Sequence, residues 1–155
     1  MLIKSSFKPV WWCRNRHLQT IIPSLFRKVT PAKLKRERLI TEDGDFIDVD
    51  FCGEGEKPLI ILLHGLTGSS QSNYILGLQN SLLEQGLRSV ALNFRGCSGE
   101  LNQTSRCYHS GETGDIHFLY RTLRAREPQT PIAVVGFSIG GNVLLKWLGE
   151  QGNAL

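Results

Sequence analysis

One segment limits the possible folds more than any other. Pro131-Ile132-Ala133-Val134-Val135 runs directly into Gly136-Phe137-Ser138-Ile139-Gly140-Gly141, and helical spacing follows at once. A short apolar, β-branched run bounded by Pro and Gly reads as a strand buried on both faces. Val143, Leu144, Trp147 and Leu148 then fall on one side of a helix over residues 140–150. Only a Gly-x-Ser-x-Gly turn separates the two elements, so strand and helix must approach closely, which small residues allow. A strand that feeds straight into a helix is half of a crossover unit, and chains built from such units form α/β sheets.

The preceding hundred or so residues repeat that alternation. Arg38-Leu39-Ile40-Thr41 and the run over residues 46–51 flank Asp43-Gly44, a hairpin turn signal. Phe46-Ile47-Asp48-Val49-Asp50-Phe51 alternates apolar and polar residues, which predicts one wet face. Leu59-Ile60-Ile61-Leu62-Leu63 predicts a strand covered on both faces. A helix is expected over residues 72–85, with Ile75, Leu78 and Leu82 inward and Gly86 as its stop. Residues 89–94 predict the next strand. After a glycine-rich loop, residues 112–126 predict a helix whose early acids, Glu112 and Asp115, suit its N-terminal dipole. The expected fold class is therefore α/β, a mostly parallel sheet with helices on both faces. Its informative loops should lie beyond the carboxyl ends of the strands.

Charge divides the chain in two. Residues 1–40 hold ten Lys or Arg against a single acid, Glu37, whereas residues 41–155 hold eight bases and thirteen acids. Residues 1–36 read as a basic, aromatic-flecked lead-in, with Pro9, Pro23 and Pro31 interrupting any long helix. Residues 37–155 read as the core. The arm is expected to be solvated or to lie on the acidic body, with weak contact to a membrane surface as the other reading. No nucleic-acid motif accompanies the charge, so a nucleic-acid partner is not expected. No apolar run approaches the length of a membrane span, and residues 1–7 lack the apolar region of a secretory signal. A cytoplasmic protein is the expectation. Cys13, Cys52, Cys97 and Cys107 lie far apart without metal-ligand spacing, so free thiols and no metal are expected.

Ser138 stands where a strand-to-helix turn would push a nucleophile out above the sheet. Two other glycine-rich turns fit less well. The spacing of Gly136 and Gly141 suits a phosphate loop, but Asn142 occupies the lysine position. A dinucleotide fingerprint fails because Ser138 replaces the second glycine. His64-Gly65-Leu66-Thr67-Gly68 follows the first buried strand, where an α/β hydrolase draws its second oxyanion donor. The candidate donors are the backbone N–H groups of Leu66 and Ile139. His64 and Gly65 are read as supporting that loop, His64 by hydrogen bonding rather than by catalysis.

Six segments together carry a resemblance. They are Asn15-Arg16-His17-Leu18-Gln19-Thr20, Asp43-Gly44-Asp45-Phe46, and the loop at His64. Then come Asn93-Phe94-Arg95-Gly96-Cys97-Ser98-Gly99-Glu100, Tyr108-His109-Ser110-Gly111-Glu112-Thr113-x-Asp115, and Gly136-x-Ser138-x-Gly140-Gly141-Asn142. In this combination the chain resembles the YheT-like α/β-hydrolase family, the AB-hydrolase 4 group, which has lipid-active relatives. The resemblance implies an α/β-hydrolase fold and a serine esterase acting on small-molecule or lipid-like esters, with no cofactor.

The triad of this fold runs in chain order serine, acid, histidine. No histidine follows Ser138, and the one acid after it is Glu150. The expectation is a truncated chain whose C-terminal strands, with the triad acid and base, are missing. Two alternatives stand beside it. One is a non-catalytic remnant or a membrane- or partner-binding module. The other is a stand-alone hydrolase using His109 as base, with Asp115 six residues on. His17 is read as packed or solvated and His117 as an exposed helical residue.

Overall fold

A computed structural model describes residues 5–55 and 57–152. Lys4 of the basic arm, and the first four of the seven opening residues read as lacking a secretory signal, lie outside them. The elements follow the alternation in the sequence. A 3-10 turn at Trp11–Cys13 and helix α1 (Arg16–Phe26) precede β1 (Leu34–Ile40) and β2 (Phe46–Cys52). Then come β3 (Leu59–Leu63), α2 (Asn73–Glu84), β4 (Arg88–Asn93), α3 (Gly114–Arg126), β5 (Ile132–Gly136) and α4 (Ile139–Gln151).

The five strands form one mixed sheet in the order β1-β2-β4-β3-β5. The crossovers through α2 and α3–loop place β3 parallel to both β4 and β5, while β2 is antiparallel to β1 and β4. Residues 41–45 close the β1–β2 hairpin, with Gly44 at φ 76°, a conformation that L side chains rarely adopt.

Pleating assigns side chains to the two faces. Leu59, Ile61, Leu63, Val90 and Leu92 meet Ile116, Leu119 and Leu123 of α3 and Val143 and Trp147 of α4. Ile60, Leu62 and Ala91 meet Ile75 of α2 on the opposite face. Helices therefore cover both faces, as the continuous apolar runs of β3 and β4 require.

Several local expectations are corrected. β2 has no wet face, because Asp48 and Asp50 are both buried. Their cross-strand partners supply the charge that burial demands: Arg38 pairs with Asp48 and Arg36 with Asp50, directly opposite in the register. β5 is only half-buried, since among the described residues it is paired on one side only, with β3. Leu148 is exposed because α4 packs through Val143 and Trp147. Pro23 lies inside α1 instead of interrupting it. His117 is half-buried and its Nδ1 accepts a hydrogen bond from the Trp147 indole at 3.3 Å.

Candidate active site

At the carboxyl end of β5 the chain reverses within two residues to enter α4. Ser138, exposed at the apex, has φ 52° and ψ −116°. A non-glycine residue in that region carries backbone strain of about 1–3 kcal/mol. The turn is fixed on both sides: the Phe137 N–H donates to the Leu63 carbonyl at 3.0 Å, and the Gly140 N–H to the Phe137 carbonyl at 2.8 Å. A Cβ on Gly140 would lie 2.6 Å from the carbonyl oxygens of both Leu63 and His64. One on Gly136 would collide with the Gly140 carbonyl. Both glycines are thus required by the close approach of β5, β3 and α4.

The loop after β3 lies against this turn. A Cβ on Gly65 would sit 3.5 Å from the Ser138 Cβ. Two tyrosine hydroxyls hold the loop, Tyr74 accepting from the Gly65 N–H at 2.8 Å and Tyr108 from the Thr67 N–H at 3.0 Å. Thr67 itself has φ 56°. The N–H groups of Leu66, between the two clamped residues, and of Ile139, at the start of α4, have no hydrogen-bond partner among the described residues. Two unpaired donors beside an exposed serine, one of them at a helix N-terminus, suit a developing oxyanion.

His64 is buried beneath that loop. Its Nε2 accepts from the Phe94 N–H at 3.1 Å, which places the imidazole proton on Nδ1, facing the Gly65 carbonyl at 2.7 Å. Burial pushes its pKa below the ordinary value, against the pull of that carbonyl. The ring meets Phe94 edge-on, and Tyr108 stacks on Phe94. With both nitrogens occupied, His64 braces the loop and has no free position for Ser138.

Strand order, turn and donor loop together match a known arrangement. The family model for the alpha/beta hydrolase fold matches residues 58–153. The chain belongs to the α/β-hydrolase family. Among curated relatives it is 40% identical to YheT of Escherichia coli (strain K12), whose name provisionally calls it an esterase, over 97% of this chain and 46% of that protein. It is 30% identical to human phospholipase ABHD3 over 98% of this chain and 39% of that protein. The chain thus spans less than half the length of these relatives. Among solved structures, the Pyrococcus furiosus esterase Pf2001 superposes with a TM-score of 0.66 at 24% identity, covering 80% of this chain and 52% of that one; that likeness shows the fold.

Three of the other motif segments converge on Arg95 rather than on Ser138. The buried Arg95 guanidinium pairs with Asp43, Asp45 and Asp115 at 2.9, 3.1 and 2.9 Å. Asp43 is held below the ordinary carboxylate range by the Thr41 hydroxyl and by Arg95 and Arg106. Burial would raise Asp45, but donors from Gln103, Thr104 and Asn102 hold it below that range. The cluster ties the β1–β2 turn and the loop after β4 to the first turn of α3. Asn93 does the same for the donor loop, accepting from the Ser70 N–H and donating to the Asp48 carbonyl.

No described histidine hydrogen-bonds to Ser138. His109 is exposed and its Nδ1 accepts from the Gly111 N–H at 3.1 Å. Asp115 is committed to Arg95, so the two are not brought together as base and acid. His17 is exposed near the start of α1, and Glu150 accepts from Thr113 and Lys146. Sequence reasoning missed Tyr74 and Asn93 as supports of the donor loop. The signal for Asn93 was present, an amide directly after the apolar run Val90-Ala91-Leu92 of a buried strand.

Proposed function

We propose that Ser138 is the nucleophile of a carboxylesterase-type serine hydrolase. Its Oγ attacks the acyl carbon of an ester, the carbonyl oxygen takes up negative charge toward the Leu66 and Ile139 N–H groups, and the alkoxide leaves with a proton. Water then releases the acyl group from the serine. The observation that carries this reading is the exposed Ser138 at φ 52° beside two unpaired backbone donors. The names of YheT and ABHD3 support an ester substrate of small-molecule or lipid type.

The proton acceptor is the missing part. Among the described residues His64 is occupied on both nitrogens and His109 has no carboxylate orienting it, so neither is placed to take the Ser138 proton. Oxyanion donors and binding alone retain roughly a thousandfold catalysis over water, far below a complete triad. That same absence is the one observation favouring a non-catalytic binding module.

Turnover of p-nitrophenyl butyrate and octanoate by the native gene product separates the two. Ser138→Ala is expected to lower kcat by at least about a thousandfold. Equal turnover by the Ser138→Ala variant would remove Ser138 from the chemistry.

A further inference from the structure

Helix α1 turns its apolar side to solvent. Leu18, Ile21, Ile22, Leu25 and Phe26 recur at i, i+3, i+4, i+7 and i+8, which forms a single stripe along the helix. Four of them are exposed, Phe26 by 74%. Just before the helix, Phe7, Trp11 and Trp12 are exposed too, Trp11 by 80%. A contiguous apolar patch with a polar rim marks an interaction surface.

Charge identifies what the patch meets. Residues 1–36 contain no Asp or Glu. Lys8, Arg14, Arg16, Arg27 and Lys28 bracket the stripe, and none forms an ion pair among the described residues. A second copy of this arm would bring like charge against like. An amphipathic helix with aromatic residues on its apolar side and Lys or Arg around it has the composition of one lying in the plane of an anionic bilayer surface. Tryptophan is suited to the headgroup level, where one end of the ring is apolar and the other wet.

We propose that α1 and the preceding 3-10 turn dock the chain onto an anionic lipid surface. The tether to the core sets the orientation. The Arg27 carbonyl accepts from the Asn73 side chain at 2.6 Å, and Asn80 bonds the backbone of Thr30 and Ala32. Asn73 opens α2, directly after the loop that bears Leu66. The docking helix is therefore moored to the sheet edge on which Ser138 stands, and docking brings that edge toward the lipid. The inference stands apart from the chemistry at Ser138, because binding is read without turnover.

Tryptophan fluorescence with vesicles tests it. Trp147 is buried in the core, so changes on adding lipid report Trp11 and Trp12. With phosphatidylcholine vesicles containing phosphatidylglycerol at low salt, emission should shift to the blue and be quenched by brominated lipid. Leu25→Ser with Phe26→Ser should weaken partition on the order of a hundredfold. Arg27→Ala with Lys28→Ala should weaken it roughly tenfold, an effect that fades at high salt. Near-ultraviolet dichroism from Trp147 confirms that the variants keep their core. The proposal is overturned by absence of partition into anionic vesicles, by equal partition into pure phosphatidylcholine, or by unchanged partition of the Leu25/Phe26 variant. It is equally overturned if emission is already blue-shifted without lipid and the chain sediments as a dimer, which would assign the patch to a second copy.

Discussion

At Ser138 the backbone conformation and the side chain make opposite demands. A residue at φ 52° and ψ −116° is better served by glycine, yet only a side chain can carry the hydroxyl. Ser138→Gly should therefore be more stable than Ser138→Ala by about 1 kcal/mol in urea unfolding, although both lack the hydroxyl. Equal stability would mean the turn is unstrained. His64 offers a second test at this scale. Its folded pKa lies below the ordinary 6.5 because burial disfavours the cation. The unfolded state then binds a proton first as pH falls. The stability His64 contributes is complete above about pH 6.5 and is lost as pH drops toward the folded pKa. A nuclear magnetic resonance titration of the His64 ring should give a midpoint below 6.5, and a midpoint at or above 6.5 would contradict the buried neutral tautomer.

At the scale of elements, the Arg95 cluster joins the β1–β2 turn to both ends of the β4–α3 connection. Arg95→Ala would leave Asp43, Asp45 and Asp115 facing one another without their shared cation. The expected loss is about 3–5 kcal/mol of unfolding free energy. A loss under about 1 kcal/mol would show that Arg106 or solvent replaces it. This cluster also shows what the sequence could and could not reveal. Apolar runs and helical spacing located β3, β4, α2 and α4 closely, because burial on two faces or one leaves a periodic trace. The Asp48 and Asp50 alternation misled, since cross-strand arginines can bury a carboxylate that pattern alone assigns to water. Likewise β5 reads as apolar as β3, yet among the described residues it is paired on one side only and is less buried. The tight β5–α4 turn was legible because glycine is demanded there by contact. Tyr74 was not, because a hydroxyl that accepts from a backbone N–H nine residues away has no sequence period.

For the whole molecule, the sheet order places Ser138, the Leu66 and Ile139 N–H groups and the tether of the basic arm around the carboxyl ends of the strands. Ser138 comes from the β5–α4 turn, Leu66 from the β3–α2 loop, and α1 is tethered to the start of α2. In the proposed chemistry the described residues supply the attacking hydroxyl and a place for charge to develop, and no described histidine is hydrogen-bonded to that hydroxyl. The central claim is thus that Ser138 is the reactive serine. Fluorophosphonate labelling of the native gene product, with the modified peptide mapped by mass spectrometry, tests it most directly. One phosphonylated residue, Ser138, is expected, with no labelling of the folded Ser138→Ala variant. Labelling that persists unchanged in that variant, or a native protein that takes up no label, would contradict it.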